Sequence, residues 1–309
     1  MKILVTGGAG FIASHVADAF IEEGHDVIVL DDLSTGFEKN INAKARFLKM
    51  NICDPEVDNL FGEEQFDVVN HHAAQMDVRK SVADPAFDAN VNILGTINLL
   101  QSSVKHGIRK FMFSSTGGAV YGEQLFFPAN ESHQTNPVSP YGISKLSVEK
   151  YLNFYHKEYN LNYTILRYAN VYGPRQNPFG EAGVVSIFCN KMLSGEQPII
   201  NGDGKQTRDY VYVQDVVKAN LLTLAEAGSS VYNVGTAIET NVNELFSMLN
   251  DIIGNDQTEK HGPAAPGEQL RSVITSDKLF ENLDWKPSIK LEDGLKYTVS
   301  FFETNLSLK

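Results

Sequence analysis

Cysteine is scarce in this chain. Two residues, Cys53 and Cys189, stand in 309, far apart and without the close spacing of metal-binding thiols. That excludes a disulfide scaffold and a cysteine-rich metal centre, so no metal is expected and both thiols read as packing residues in a reducing compartment. Blocks of lysine or arginine are missing too, and the net charge is −12. A nucleic acid or an anionic membrane surface finds no basic footprint here. No apolar run approaches the ~18 residues of a membrane-spanning helix. Met1-Lys2 leads directly into a strand with no room for a signal peptide, so a cytoplasmic protein is expected. Internal repeats and low-complexity linkers are absent. What remains is an ordinary globular composition, 42% hydrophobic and 10% aromatic, long enough for roughly two domains.

The first half alternates. Strands are expected at 2–6, 26–30, 45–48, 67–71, 109–113 and 163–167, with helices near 12–23, 55–61, 86–105 and 141–159. This pattern predicts an α/β fold with a doubly wound parallel sheet. After Asn170 the pattern breaks at Pro174, Pro178, Gly180 and Gly183, where a smaller C-terminal unit begins. At the amino terminus, Lys2 to Thr6 reads as an apolar strand, followed by Gly7-Gly8-Ala9-Gly10-Phe11-Ile12-Ala13. Helical spacing resumes with Val16, Ala17, Phe20 and Ile21. A glycine-rich turn between strand and helix lets backbone approach a pyrophosphate, which the helix amides and dipole then hold. The second strand ends at Asp31, at the spacing of a carboxylate that accepts from the adenosine ribose. Asp31 and Asp32 together repel a 2′-phosphate, and no Arg or Lys follows before Lys39. NAD is favoured over NADP.

Tyr141 and Lys145 lie four apart in an expected helix, so they share one face. A free phenol titrates near pH ~10, too high for a base at neutral pH. A neighbouring ammonium favours the phenolate. A hydroxyl from Ser114-Ser115-Thr116 can hold a sugar or alcohol oxygen beside it.

Taken together, Thr6 to Ile12, the Ser/Thr run and Tyr141-x-x-x-Lys145 resemble the extended short-chain dehydrogenase/reductase family. Within it the chain is most similar to the nucleotide-sugar 4-epimerases of the UDP-glucose (UDP-galactose) type. Further landmarks follow in order: His72-Ala73-Ala74-Gln75, Asn90-Val91-Asn92, Leu166 to Pro174, Gly202-Asp203-Gly204 leading to Arg208-Asp209-Tyr210-Val211, and Pro266-Gly267-Glu268 with Arg271. The likeness spans nearly the whole chain.

The resemblance implies a Rossmann-type NAD-binding domain of residues 1–169 plus about 209–235. A nucleotide-sugar-binding domain would comprise about 170–208 plus 236–309. It places Gly7, Gly10, Phe11 and Ile12 at the dinucleotide, with Asp31 and Asp32 at its ribose. Asn51 and Ile52 would flank the adenine, although many relatives carry Asp where Asn51 stands. Ala73, Ala74, Asn90 and Tyr168 would line the rest of the channel, beside Tyr141 and Lys145. Met76 departs from the lysine of some epimerases. On the substrate side, Arg208 and Arg271 would clamp a diphosphate, Asn170 would meet the diphosphate or sugar, and Glu268 the uridine ribose. Ser272 falls where a bulky tyrosine restricts relatives to non-acetylated sugars; a small residue leaves room for a 2-acetamido group.

One residue more than in many relatives lies between the Ser/Thr run and Val120-Tyr121-Gly122. Thr116 is then the catalytic hydroxyl with Ser115 assisting, the choice between them staying open, and the loop has to bulge. Related 4,6-dehydratases place an Asp-Glu pair just after the Thr, and related decarboxylases a Glu. Here stand Gly117, Gly118 and Ala119, which leaves hydride chemistry at one carbon. The implied activity is 4-epimerisation of a UDP-sugar, with UDP-glucuronate as an alternative substrate and a keto-sugar-releasing dehydrogenase as an alternative reaction. A non-catalytic NAD-binding regulator is disfavoured, because both Tyr and Lys are present. Family members dimerise through two helices per subunit, so a homodimer is expected through 86–105 and 141–159, with Leu94, Ile97, Leu146 and Leu152 available.

Overall fold

The computed structural model describes residues 1–179, 183–264 and 269–306. Six strands of the first half are β1 (Lys2–Thr6), β2 (Asp26–Asp31), β3 (Arg46–Lys49), β4 (Val68–His71), β5 (Lys110–Thr116) and β6 (Asn162–Tyr168). Later strands are β7 (Asn170–Tyr172), β8 (Ile200–Asn201), β9 (Thr207–Tyr212), β10 (Ser230–Val234), β11 (Glu239–Asn241), β12 (His261–Gly262) and β13 (Arg271–Ser272). A seven-stranded sheet runs in the order β10-β6-β5-β4-β1-β2-β3, every pair parallel. The order reverses direction beside β1, the arrangement of doubly wound nucleotide-binding folds. Strands β1 and β2 carry apolar runs, Ile3 to Val5 and Val27 to Leu30, that are fully buried, as parallel strands covered on both faces must be.

Helices cover both faces. They are α1 (Phe11–Glu22), α2 (Glu56–Glu64), α3 (Val78–Ala83), α4 (Pro85–Ala89), α5 (Gly95–Lys105), α6 (Pro140–Tyr159), α7 (Val184–Leu193), α8 (Val213–Ala225), α9 (Val242–Ile253), α10 (Asp277–Leu283) and α11 (Leu291–Leu306). One core joins the sheet to α2, α5 and α6 through Phe61, Leu99, Leu100, Val148 and Leu152. The opposite face is packed by α1 and α8 through Val16, Phe20, Val217 and Leu224. The helix expected over 86–105 runs without a break but changes register inside: α4 ends at Ala89, a π-helical turn spans Asn90–Leu94, and α5 follows. A π turn inserts one extra residue per turn, a feature concentrated at functional sites. Leu152 is also displaced from its expected surface role, being fully buried in the core, whereas Leu94 is 57% exposed.

After Asn170 a smaller sheet forms. In it β9 pairs with β7, β11 and β13, while β8 pairs with β12. Helices α7, α9 and α11 supply its core through Phe188, Phe246, Leu295 and Val299. Between these two parts the chain returns through α8 to β10, which extends the large sheet beside β6. Trp285 stands at the junction, fully buried, with its Nε1 donating to Asp215 O at 2.9 Å. Trp285→Ala should cost about 3–5 kcal/mol of stability, read by urea unfolding with far-ultraviolet circular dichroism. A loss below about 1 kcal/mol would contradict this packing.

Candidate active site

The strand ends build the site. After β1 the chain turns through Gly7 at φ +71°, where an added Cβ would lie 2.6 Å from Ala73 N. Only glycine tolerates both that backbone and that approach. The cap of α1 is Gly10, which offers no side-chain hydrogen bond, and the first turn carries no acid. Its leading amides, those of Phe11 and Ile12 among them, are therefore left for an anion. Asp31 accepts from Ala9 N at 3.0 Å and Leu33 N at 2.8 Å. Burial raises its pKa against those two donors. Asn51 donates to Asp32 Oδ2 at 2.8 Å, so the amide that replaces a carboxylate here ties β2 to β3. Ile52 is buried against Gly95, and Ala73 N donates to Thr6 Oγ1 at 3.2 Å. Ala74 is partly exposed and Asn90 exposed at the π turn. Tyr168 stacks on His72 at 6.0 Å, and its hydroxyl accepts from Asn220. A glycine cradle, an uncapped helix and a carboxylate at the end of β2 together fit a dinucleotide.

Helix α6 carries the reactive pair. It begins where Ser139 accepts from Gly142 N and Pro140 occupies the first turn, the usual chemistry of a helix start. Tyr141 is partly buried, and among the described residues its hydroxyl makes no hydrogen bond. Lys145 is 4% exposed. Its Nζ donates to Ser114 O at 2.9 Å and sits 4.8 Å from the Phe113 ring centre and 5.8 Å from that of Tyr141. Burial brings Lys145 down to about 8. Contrary to the expectation from charge alone, Tyr141 is raised above the ordinary phenol value, first by burial and then by Asp88. Desolvation dominates at Tyr141, and the Lys145 ammonium is tied to the Ser114 carbonyl.

Thr116 and Ser115 separate by strand alternation. Ser115 donates to Glu149 Oε1 at 2.6 Å, inside a buried network in which Arg167 clasps Glu149. Its hydroxyl is thus committed away from the open end of β5. Thr116 keeps its hydroxyl free of protein partners among the described residues. Beyond Thr116 the chain turns, closed by Val120 N donating to Thr116 O at 3.2 Å. A Cβ built on Gly118 would lie 3.6 Å from Asn170 Oδ1, 3.7 Å from Thr116 Oγ1 and 4.0 Å from Ser272 Oγ. Three polar groups from β5, β7 and β13 therefore converge around a position with no side chain.

Arg208 and Ser272 are register partners on β9 and β13, and Arg208 Nη1 donates to Thr207 O. Arg271 is half-exposed, held by Glu239 through Nε at 2.9 Å and Nη2 at 2.7 Å. Its guanidinium carbon lies 3.7 Å from the Phe127 ring centre, leaving Nη1 outside the pair. Glu268 lies outside the described residues. Sequence reasoning missed Glu239, Phe127, Glu149 and Asp88. Glu149 had a signal, since it follows Lys145 by four and extends the same helix face; the others sit far apart in sequence.

The parallel sheet, the glycine turn feeding an uncapped helix, and a tyrosine–lysine pair beside a threonine define the short-chain dehydrogenase/reductase class of dinucleotide enzymes. Residues 3–235 match the NAD dependent epimerase/dehydratase family, and the chain belongs to that family, whose cofactor is NAD. The UDP-glucose 4-epimerase of Thermotoga maritima, solved with UDP-glucose, is 51% identical with a TM-score of 0.97, covering 99% of this chain and 100% of that one. That of Thermus thermophilus, in complex with NAD, is 40% identical at TM-score 0.93, covering 98% and 99%. A UDP-N-acetylglucosamine 4-epimerase from Methanobrevibacter ruminantium, in complex with UDP-N-acetylmuramic acid, is 35% identical at 0.92, covering 98% of each chain. Gly7→Ala should weaken NAD binding at least ~10-fold, because the strained φ and the 2.6 Å approach to Ala73 both oppose it. Calorimetric titration with NAD checks this; unchanged affinity would remove Gly7 from the cradle.

Proposed function

We propose that this protein is an NAD-dependent 4-epimerase that interconverts UDP-galactose and UDP-glucose, and the N-acetylated pair as well. The observation that carries the reading is the floor beside Tyr141. Thr116 is followed by Gly117, Gly118 and Ala119, so one proton-transfer tyrosine faces the substrate with no second acid or base on that loop. Elimination and decarboxylation lack their groups. The small side chain of Ser272, whose Oγ lies 4.0 Å from a Cβ built on Gly118, supports acceptance of a 2-acetamido group, as does the likeness to an epimerase named for UDP-N-acetylglucosamine.

The chemistry that NAD supplies when bound is reversible hydride acceptance at C4 of the sugar. Tyr141 takes the proton from O4 and returns it after the sugar has turned over. Lys145 presents an ammonium along the same helix face, countering the burial that holds Tyr141 protonated. Thr116 Oγ1 orients O4. Arg208 and Arg271 hold the diphosphate, guanidinium matching phosphate oxygens in pairs, with Asn170 beside them and Glu268 at the uridine ribose. Gly118 puts no side chain of its own against the hexose, so the firm hold falls on the nucleotide end. Gly7, Gly10, Phe11 and Ile12 seat the dinucleotide, Asp31 and Asp32 its ribose, and Asn51 and Ile52 its adenine. Ala73, Ala74, Asn90 and Tyr168 line the channel.

In this reading residues 1–169 with about 209–235 form the NAD-binding domain, and about 170–208 with 236–309 form the sugar-nucleotide domain. Galactose metabolism in the cytoplasm is the setting, supported by two unpaired cysteines and by the lack of any helix long and apolar enough to cross a membrane among the described residues. A homodimer is supported by Phe87, Leu94 and Ile143, which are 38%, 57% and 51% exposed on α4, the π turn and α6.

Incubation with UDP-galactose and NAD⁺ should yield UDP-glucose by chromatography without accumulation of NADH, followed by its absorbance. Stoichiometric NADH would mean a dehydrogenase, and no product from either sugar would redirect the reading to UDP-glucuronate. Tyr141→Phe should lower kcat by about 10²–10⁴. Ser272→Tyr should abolish turnover of the N-acetylated sugars while sparing UDP-galactose; retained turnover of both would sink the assignment of Ser272.

A further inference from the structure

Behind the Tyr141–Lys145 pair lies a carboxylate that the mechanism does not use. Asp88 belongs to α4, immediately before the π turn, and is fully buried. Three side chains from three segments donate to it. Gln75 Nε2, from the loop after β4, reaches Oδ1 at 3.0 Å; Asn92 Nδ2, from the π turn, reaches the same oxygen at 3.0 Å. Ser144 Oγ, on α6 between Tyr141 and Lys145, reaches Oδ2 at 2.6 Å. Gln75 and Asn92 also bond each other, through Gln75 N to Asn92 Oδ1 at 2.9 Å and Asn92 Nδ2 to Gln75 O at 2.8 Å. Among the described residues no cation forms an ion pair with Asp88. A buried carboxylate without an ion-pair partner is expensive, and a packed apolar residue would serve stability as well. Three donors converging on two oxygens also exclude an amide, which offers one acceptor and turns its own donor against the others.

We propose that Asp88 is a positioning residue for proton transfer: it ties the loop beside Ala73 and Ala74, the π turn and the Tyr141–Lys145 turn of α6 together, and its negative charge keeps Lys145 an ammonium at the pH of catalysis. The proposal rests on the epimerase reading for its catalytic meaning. The direction of the electrostatics agrees, since Asp88 and Glu149 both raise Lys145 against its burial. The other groups around Lys145 do not substitute for Asp88. His71 and His72 on the β4 side are held neutral by burial, His72 down to about 3. On β5, Ser114 offers an uncharged carbonyl. From β6, Arg167 spends its charge on Glu149, and Tyr168 is held protonated by burial. Arg79 and Lys80 of α3 are exposed.

The sign follows. Asp88 raises both Tyr141 and Lys145, so removing its charge lets each lose its proton at lower pH. In Asp88→Asn the Lys145 midpoint, read by NMR on isotopically labelled lysine in the enzyme without substrate, should fall by about one unit. The alkaline limb of kcat should move the same way, with kcat at neutral pH down about two-fold or more. Ser144→Ala keeps the charge but cuts one tie, so kcat should fall several-fold with the Lys145 midpoint in place. An unmoved midpoint in Asp88→Asn overturns the proposal, as does a moved midpoint with an unmoved alkaline limb. Should Asp88→Asn fail to fold, wild-type kcat in Ser144→Ala overturns it. The midpoint is read without turnover, so an enzyme that epimerises nothing would refute the epimerase reading and leave the charge relation measurable.

Discussion

Helix α6 has to lie hard against the end of β5, and a buried ion pair holds it there. Glu149, two turns beyond Tyr141, accepts from Arg167 Nε at 3.0 Å and Nη2 at 2.6 Å, and from Ser115 at 2.6 Å. Arg167 Nη1 continues to Tyr121, whose hydroxyl donates to Asn233 on β10. One carboxylate thereby joins α6, β5, β6 and β10. A buried pair of this kind contributes little net stability compared with packed apolar residues, yet breaking it costs about 3–5 kcal/mol. What it supplies is register. With Glu149 fixed, Lys145 falls on the Ser114 carbonyl and Tyr141 at the strand's open end. A slip of one residue along the helix would turn that face by about 100° and scatter the pair.

The same burial that fixes the pair works against its chemistry. Desolvation disfavours charge on both groups, pulling Lys145 down to about 8 and pushing Tyr141 up. A phenol and an amine in such a pocket are both driven toward neutrality, which is the wrong state for a base assisted by an ammonium. Charge has to be restored locally. Asp88 and Glu149 do this for Lys145, and neither meets solvent. Asp88 opposes ionisation of Tyr141, so the carboxylates help the lysine at the tyrosine's expense. The balance is resolved only when positive charge lies against the phenol.

Much of the fold was legible because its signals are local. Apolar strands of four to seven residues and a glycine turn each encode geometry within a few positions. The π turn inside 86–105 was not legible, because it costs nothing in hydrophobic pattern: Leu99 and Leu100 stay in phase with the core on one side and Asp88 with its donors on the other. Leu152 escapes the sequence for a related reason. A long amphipathic helix shows its apolar stripe, but not which edge of that stripe faces the sheet. In the site, Tyr141 and Lys145 announced themselves by spacing and Thr116 by its place in the Ser/Thr run, whereas its separation from Ser115 needed β5 to extend to residue 116 and Ser115 to meet Glu149. Glu239 and Phe127 stayed hidden, since their partner Arg271 is 32 residues from Glu239 and meets Phe127, which comes from the loop between β5 and α6.

The two halves of the chain are also fastened across the cofactor helix. His15 on α1 lies 2.9 Å from Pro174 O, and Arg175 pairs with Asp18 at 2.8 Å. Arg175 adopts φ +68°, a strained conformation for a residue with a side chain, tolerated because this pairing holds it. On the other flank Asp209 accepts from Thr236 N and Oγ1 and from Ala237 N, pinning β9 to the loop after β10. The smaller sheet is therefore anchored at both edges of the cleft, through α1 and through β10. Groups that come from β5, β7 and β13 can then keep their spacing around Gly118 without touching one another. Polar groups fixed around a glycine, with arginine-bearing strands β9 and β13 beside them, separate the positive charge from the uncharged hydroxyls within one small sheet and the strand end next to it.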